Sequence, residues 1–288
     1  MVQVIGEIGG TSSRWAVLTN GVARTWPLKG DRWPGHNPVS GDGAEFARSV
    51  QELFQGLQQD ALDATVIHIY GAGCGTQERQ QRMERTLHLI WPKAEIHVET
   101  DLMGAAIGLC DGDPGLVLIL GTGMNAGYFD GHRLHRPMPS LGYLLGDEAS
   151  GADIGRHLLQ DAFYGRIPKE VHERIFGGDG PVLSDVLARV HRAAHPAREL
   201  AAYTALLAPH LTEHYVQDLI QSRFHALADL LWRFFSPEQL ATLYATGSVA
   251  YGFREVLADR ALERGMTLKV VEPDPLPGLV RYHLQRVR

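Results

Sequence analysis

The stretch GLVLILGTGMNAGYFDGHRLHRPMPSLGYLLGDEASG, residues 115–151, decides the fold that we predict for this chain. It opens with the apolar run 116–120, whose length and β-branched content are typical of a buried strand. The loop Gly121-Thr122-Gly123 ends that strand, and its glycines let the backbone approach an anion. A second strand follows and turns at Asp130-Gly131, a strong hairpin signal, and the chain resumes over 132–136. The stretch therefore predicts two strands around a phosphate-cradling loop, followed by a hairpin.

The same pattern occurs near the N-terminus. Residues 2–6 predict a strand, residues 7–13 a Gly/Thr loop and residues 14–19 a returning strand, with Asn20-Gly21 as the hairpin turn. A repeated unit of this size indicates two related half-chains. Two such loops that face one another would bind a polyphosphate between two domains.

Composition excludes several classes of protein. The chain has 288 residues, 44% of them hydrophobic, which is enough for a large core in two domains. The net charge of -6, with no basic stripe, argues against a nucleic-acid partner. Cys74 and Cys110 lack metal-ligand spacing, so neither a disulfide scaffold nor a zinc site is expected. No run approaches the roughly 20 apolar residues of a membrane span, and no export signal is evident. We therefore expect a cytoplasmic protein without a membrane partner.

The sequences of the motifs resemble those of the N-acetylglucosamine kinase family, also called the BadF/BadG-type ATPase family. This family lies within the sugar kinase, Hsp70 and actin superfamily. The resemblance implies an α/β fold of two actin-like, ribonuclease H-like ATPase domains with a nucleotide cleft between them. The first domain would span residues 1–99, joined by the final helix 278–288, and the second residues 100–278. The matching segments occur in family order from Glu7 to His283: EIGGTSSRW, GHNP, YGAGC, ETDLMGAA, GTGMN, LGYLLGDEASG, GSVAYGF and PLPGLVRYH.

The resemblance also implies an ATP-dependent sugar kinase that uses Mg²⁺. Residues 95–99 predict a strand and residues 102–110 a helix, so Asp101 lies between them. An Asp at that point is most often only a helix cap. In the family the matching Asp is the general base, which here would take the proton from a sugar hydroxyl, the 6-hydroxyl by family analogy. The ATP phosphates would be bound by groups of three loops, namely Gly9, Gly10, Thr11, Ser12, Thr122, Gly123, Gly247 and Ser248.

Four residues would bind the sugar by the same resemblance: Asn37, Asp101, Asn125 and Asp147. Asn37 precedes a proline, which biases it to an extended conformation. The adjacent carboxylates Asp147 and Glu148 would otherwise be read as the acidic first turn of a helix over 149–164. Glu148 would orient the loop or a metal-bound water, and Glu7 would hold Mg²⁺ through water.

Several positions depart from the family pattern and leave the sugar open. Ser12 and Arg14 stand where many bacterial relatives carry Lys and Asp. Leu141 stands where animal N-acetylglucosamine kinases place a Trp, and Met124 replaces a Ser. The candidate substrates are therefore N-acetylglucosamine, N-acetylmuramic acid, glucosamine and glucose, and the family expectation is a homodimer.

Two other functions stay open at this point. The altered first loop makes a non-catalytic sugar or nucleotide sensor an alternative. The second alternative is an activator ATPase of 2-hydroxyacyl-CoA dehydratases, which bridges a dimer with an iron-sulfur cluster. That class needs a cysteine pair after the second phosphate loop, and no cysteine follows Cys110.

Overall fold

The computed structural model describes residues 2–28, 33–178 and 180–286, and the chain divides into two compact units. Unit 1 comprises Met1–Gly112 with Asp274–Arg288, and unit 2 comprises Asp113–Pro273. Helix α3 (Asp101–Cys110) belongs to unit 1, whereas the sequence expectation began the second domain at residue 100. The reason is that α3 packs against strand β5 (Val66–Gly71) and helix α13 (Leu276–Arg286). Residues 287 and 288 of the expected final helix lie outside the described residues.

The sheet of unit 1 begins with an antiparallel meander and continues with parallel strands. Its order is β3-β2-β1-β5-β6, with the short β4 paired to β2. Asn20 and Gly21 join β2 to β3 with φ values of 52° and 78°, as a type I′ turn requires. The remaining strands are β1 (Val2–Ile8), β2 (Ser12–Thr19), β3 (Val22–Trp26), β4 (Trp33–Pro34) and β6 (Glu95–Thr100).

Helices cover both faces of this sheet because its strands are apolar on both sides. Trp15 and Val17 of β2 pack on one face with helices α1 (Gly43–Leu57) and α2 (Gln77–Leu87). The alternate residues Ala16 and Leu18 pack on the other face with α13. A short 3-10 helix, Gln59–Asp63, follows α1. The sheet is therefore a buried central layer between two helical layers.

Three histidines stack on the face covered by α13. His68 and His97 lie opposite each other on β5 and β6, with ring centroids 5.0 Å apart. The ring of His283, from α13, lies 4.1 Å from His68 and accepts or donates a 2.9 Å hydrogen bond with the Tyr70 hydroxyl. Burial, then the neighbouring imidazole and the Arg286 guanidinium, lower the pKa of His283 to about 3. His68 and His283 are therefore packed in the neutral form.

Unit 2 repeats the strand order of unit 1. Its sheet order is β11-β10-β7-β8-β9, with β7, β8 and β9 antiparallel and β10 and β11 parallel to β7. The predicted α/β fold with two ribonuclease H-like units is therefore confirmed. The strands are β7 (Gly115–Leu120), β8 (Met124–Phe129), β9 (Leu134–His135), β10 (Thr242–Thr246) and β11 (Thr267–Glu272).

The core of unit 2 lies between this sheet and a set of helices. Helix α9 buries Phe224, Leu227 and Leu231 in one cluster with Leu118 and Leu243 of the sheet. The helices are α4 (Gly142–Leu145), α5 (Gly151–Phe163), α6 (Lys169–Phe176), α7 (Leu183–Arg192), α8 (Pro196–Thr204), a 3-10 helix (Ala205–His210), α9 (His214–Phe234), α10 (Pro237–Leu240), α11 (Ser248–Gly252) and α12 (Arg254–Glu263). Among the described residues, no helix has both the length and the apolar character to cross a membrane.

Two element boundaries differ from the sequence expectation for local reasons. The third strand of unit 2 begins at Leu134 and not at residue 132, because the Asp130 carboxylate accepts the N–H groups of His132 and Arg133 and holds them in the turn. The sequence also predicts a strand over 240–245, but Leu240 ends helix α10, which begins with a capping box at Ser236.

Candidate active site

The first predicted phosphate loop is a three-residue connection between β1 and β2. Glu7 belongs to β1 and Ser12 begins β2, so the loop is shorter than the seven residues expected. The Gly9 N–H donates to the Ser12 carbonyl oxygen at 2.9 Å, and the Gly9 carbonyl accepts the His36 N–H at 3.0 Å. Gly35 lies so close that a Cβ there would be 2.3 Å from both the Gly9 oxygen and the Ser12 nitrogen. The loop is therefore tight, and the segment before Asn37 supports it.

Glu7, the predicted Mg²⁺ residue, lies in a chain of charges within unit 1. Its side chain is 15% exposed, and its carboxylate is 3.3 Å from the Arg14 guanidinium, which lies 3.3 Å from Asp274. Burial raises the pKa of Glu7 to about 7; Arg14 opposes the shift, and the charges of Asp274 and Asp101 add to it. Glu7 therefore changes charge near neutral pH.

The residues present fit a magnesium ion that keeps most of its waters. The described part of the chain contains no group of three or more His, Cys, Asp or Glu side chains placed to hold a metal. Mg²⁺ in phosphate-transfer sites is usually bound by one or two carboxylates together with the substrate phosphates. Glu7, within electrostatic range of Asp101, is a donor of that kind.

Asp101 is the first residue of α3, directly after β6. The N-cap is Thr100, whose hydroxyl accepts the Met103 N–H at 3.1 Å, so the common reading of Asp101 as the cap is wrong. The Asp101 carboxylate accepts the Leu102 N–H at 2.8 Å. After burial, its charge is the second cause that raises the pKa of the Cys74 thiol, to about 12. Asp101 thus lies at the carboxyl edge of the parallel strands, where sites on such sheets form.

Asn37 lies at the same edge of unit 1. Its side-chain oxygen accepts the Val39 N–H at 2.9 Å, which closes an Asx turn. A Cβ on Gly73, two residues after β5, would be 2.3 Å from that oxygen. The carboxamide therefore lies against the end of β5, and the structure places Glu7, Asn37 and Asp101 at the ends of neighbouring strands.

In unit 2, the second phosphate loop connects β7 to β8 and is held by helix α5. The N–H groups of Gly151 and Ala152 donate to the carbonyl oxygens of Gly121 and Thr122 at 2.8 and 3.1 Å. Gly247 has φ 109°, and a Cβ there would be 2.3 Å from the Leu120 carbonyl oxygen. The two predicted phosphate loops of unit 2 therefore lie side by side at the end of β7.

A pocket in unit 2 brings together two of the predicted sugar-binding residues, Asn125 and Asp147. Glu148 also lines it. Of its apolar wall, the sequence indicates Met124 and Leu141 but not Leu230 and Phe234, which come from the distant helix α9. The other lining residues are Met124, Met138, Pro139, Ser140, Leu141, Gly146, Leu230 and Phe234.

Asp147 is 9% exposed, and its carboxylate accepts a hydrogen bond from the Met124 N–H. Burial raises the pKa of Asp147 to about 6, the Met124 N–H opposes the shift, and the charges of Glu148 and Asp153 add to it. The group is therefore an ionised acceptor at neutral pH that is protonated in mild acid.

Comparison with known proteins gives structural relatives only. No protein-family model and no curated protein matches the sequence. A protein of Porphyromonas gingivalis, provisionally named an N-acetylglucosamine kinase, has 31% identity and a TM-score of 0.88 over 99% of each chain. A second provisionally named N-acetylglucosamine kinase, from Chromobacterium violaceum, has 19% identity and a TM-score of 0.71 over 98% of each chain. A ROK family glucokinase of Streptomyces griseus, in complex with glucose and AMPPNP, has 16% identity and a TM-score of 0.53 over 98% of each chain, which shows a shared fold.

Proposed function

This chain belongs to the N-acetylglucosamine kinase family of ATP-dependent sugar kinases, and we propose that it transfers the γ-phosphoryl group of ATP to the 6-hydroxyl of an amino sugar. One observation carries the proposal: the 31% identity to the Porphyromonas gingivalis protein over 99% of both chains. The fold shared with a glucokinase that binds glucose and AMPPNP supports the reaction class.

In the proposed reaction Asp101 is the general base. The sugar oxygen attacks the γ-phosphorus and gives its proton to the Asp101 carboxylate. As the new O–P bond forms, the bond from that phosphorus to the bridging oxygen of ADP breaks. The position of Asp101 at the carboxyl edge of β6, with capping left to Thr100, supports this role. A general base of this kind contributes a factor of about 10² to 10⁴ in rate.

We assign ATP binding to the three loops already described. The N–H groups of Gly9, Gly10 and Thr11, the hydroxyl of Ser12, and the corresponding groups of Thr122, Gly123, Gly247 and Ser248 would bind the phosphates. Phosphoryl transfer asks little covalent chemistry of the protein, so positioning and charge stabilisation carry the catalysis. A Mg²⁺ ion held through water by Glu7 would neutralise charge on the transferring phosphate.

We assign sugar binding to Asn37, Asp101, Asn125 and Asp147. The pocket that contains Asn125 and Asp147 supports this assignment, because it combines polar acceptors with an apolar wall. The wall includes Met138 and suits the methyl group of an N-acetyl substituent. The homodimer and the cytoplasmic location expected of the family are part of the same proposal, and the buried thiols of the two cysteines suit a reducing compartment.

The deciding test is coupled ADP release with Mg-ATP against a panel of N-acetylglucosamine, N-acetylmuramic acid, glucosamine and glucose. Asp101→Asn is expected to lower kcat on the preferred sugar by about 10² to 10⁴-fold. The matched control is Asp113→Asn, which removes an exposed carboxylate paired with Lys269 and is expected to leave kcat unchanged. Phosphorus-proton coupling in the product identifies the phosphorylated hydroxyl.

Two results would overturn the proposal. A folded protein that binds ATP but releases no ADP with any of the four sugars would favour the sensor instead. Full activity of Asp101→Asn would remove Asp101 as the base. The positions of the cysteines argue against the activator ATPase, because its cluster needs a cysteine pair after the second phosphate loop and both cysteines are buried thiols of unit 1.

A further inference from the structure

Asp153, in the first turn of helix α5, carries a buried carboxylate that the proposed reaction does not use. It is 2% exposed. One oxygen accepts the Ala149 N–H at 3.0 Å, and the other lies 2.8 Å from the Arg156 guanidinium and 3.2 Å from Nδ1 of His157. Burial opposes ionisation, but these donors outweigh it and hold the pKa of Asp153 below its usual range. Asp153 is therefore a charged group with several partners.

The segment that Asp153 contacts has an unusual backbone. Asp147 and Ala149 have φ values of 60° and 61°, in the left-handed region that residues with a side chain rarely adopt. Such a conformation persists only where neighbouring contacts impose it. The Ser150 N–H donates to the Asp147 carbonyl oxygen at 3.0 Å, and the Asp153 carboxylate holds the amide of Ala149.

The bond from Asp153 reaches further than a helix cap requires. Ser150 is the N-cap of α5, and its hydroxyl accepts the Asp153 N–H at 3.2 Å. In a capping box the carboxylate of Asp153 would return to the N–H of Ser150 itself. It goes instead to Ala149, one residue into the turn. The Asp153 carboxylate therefore stabilises the turn that contains Asp147, and the Ser150 hydroxyl caps helix α5.

The network is anchored on helix α9. The Arg223 guanidinium donates to Nε2 of His157 at 3.0 Å and lies 3.8 Å from the Asp153 carboxylate. Because arginine only donates, Nε2 of His157 accepts and Nδ1 donates; Nδ1 lies 2.8 Å from the Asp153 carbonyl oxygen and 3.2 Å from the Asp153 carboxylate. Helix α9 also supplies two side chains of the pocket wall, Leu230 and Phe234. The turn and part of the pocket wall are thus both connected to helix α9.

We propose that Asp153, with His157 and Arg223, is a positioning element that holds the turn 147–149 and thereby sets the Asp147 carboxylate in the sugar pocket. The inference rests on the proposed function, because it takes Asp147 to bind the sugar. It adds residues outside the pocket on which sugar affinity depends.

The test compares Asp153→Asn with Asp161→Asn. Asp161 lies on the same helix and accepts hydrogen bonds from Arg166 at 3.2 Å and from the Tyr215 hydroxyl at 3.0 Å, away from the turn. Hydrogen exchange of the peptide 146–151 is measured without ligand, and steady-state KM is measured for the sugar and for ATP. In Asp153→Asn we expect the exchange rate of peptide 146–151 and the KM for the sugar each to rise by about 10-fold or more. The KM for ATP should stay within about 2-fold of the wild-type value. Asp161→Asn is expected to match the wild type in all three.

Arg223→Met is a second variant, which leaves the Asp153 carboxylate in place. It is expected to raise the exchange rate of 146–151 and the KM for the sugar, as Asp153→Asn does. Unchanged exchange of 146–151 in both variants would overturn the inference. Faster exchange with an unchanged sugar KM would also overturn it, because the turn would then not serve sugar binding. If the wild type phosphorylates no sugar, the proposed function fails by itself, and the exchange comparison still decides whether Asp153 holds the turn.

Discussion

Replacement of Gly35 by alanine tests how closely the first phosphate loop is supported. The new Cβ would lie 2.3 Å from the Gly9 oxygen and the Ser12 nitrogen and 2.6 Å from the Thr11 nitrogen, whereas ordinary contacts begin at 3.4 Å. All three are backbone atoms, so no side chain can move aside, and the loop must shift by about 1 Å. A displacement of about 1 Å in a positioning group costs about 10²-fold in rate. We therefore expect kcat/KM for ATP to fall about 100-fold in Gly35→Ala.

The assay is steady-state ADP release with ATP varied at saturating sugar, accompanied by thermal unfolding. Overpacking of this kind is expected to lower the free energy of unfolding by about 1 to 3 kcal/mol. Gly56→Ala is the control, because a Cβ there meets nothing within 4 Å and the site is helical. The control is expected to keep full activity and to gain up to about 1 kcal/mol in stability. A Gly35→Ala enzyme whose kcat/KM for ATP stays within about 3-fold of the wild type would refute the reasoning, since about 1 Å of movement would then not matter.

Three further predictions concern titration. The pKa values of His68 and His283 are lowered, chiefly by burial, from 6.5 to about 4 and about 3, so the unfolded chain binds more protons below pH 6.5. The free energy of unfolding should be highest above pH 6.5 and should decrease as the pH falls towards 4. In thermal unfolding curves, His283→Gln should weaken this pH dependence, whereas replacement of the exposed His214 should leave it unchanged. Because the pKa of Asp147 is about 6, kcat/KM for the sugar should decrease below pH 6. In Asp147→Asn, kcat/KM for the sugar should be low at every pH and should not decrease further below pH 6. Because the pKa of Glu7 is about 7, the Mg²⁺ concentration for half-maximal activity should decrease as the pH rises through 7; a Glu7→Gln enzyme that keeps this dependence would contradict the assignment.

The repeated strand-loop-strand units were predictable because their signals are local. Apolar alternation, a Gly/Thr loop and a two-residue turn lie within about 20 residues of one another, and each fixes backbone geometry by itself. The boundaries were less predictable, since a single capping bond decides them. The Asp130 carboxylate delays the start of strand β9, and the Thr100 hydroxyl, not Asp101, caps helix α3.

The surroundings of the site could not be predicted, because tertiary packing creates them. Nothing near Gly35 in the sequence indicates that it lies against Gly9. Leu230 and Phe234 have the spacing of ordinary core residues, although they line the pocket beside Asp147. The link from Asp153 to Arg223 joins residues 70 positions apart, and no local pattern encodes it. The sequence therefore indicated which motifs carry chemistry, while the contacts that hold them in place needed the structure.

The division of the chain has a consequence for the order in which the protein is made. Unit 2 is inserted between the two segments of unit 1, and helix α13 packs on Ile5, Leu18 and Tyr70 of the first sheet. Once residue 273 has left the ribosome, every residue of unit 2 is available, while the first sheet still lacks helix α13. Unit 2 therefore has all of its residues before unit 1 does, and unit 1 must wait for residues 276–286 to complete its fold. During that interval the nascent chain exposes an apolar sheet face, which is the surface that chaperones recognise.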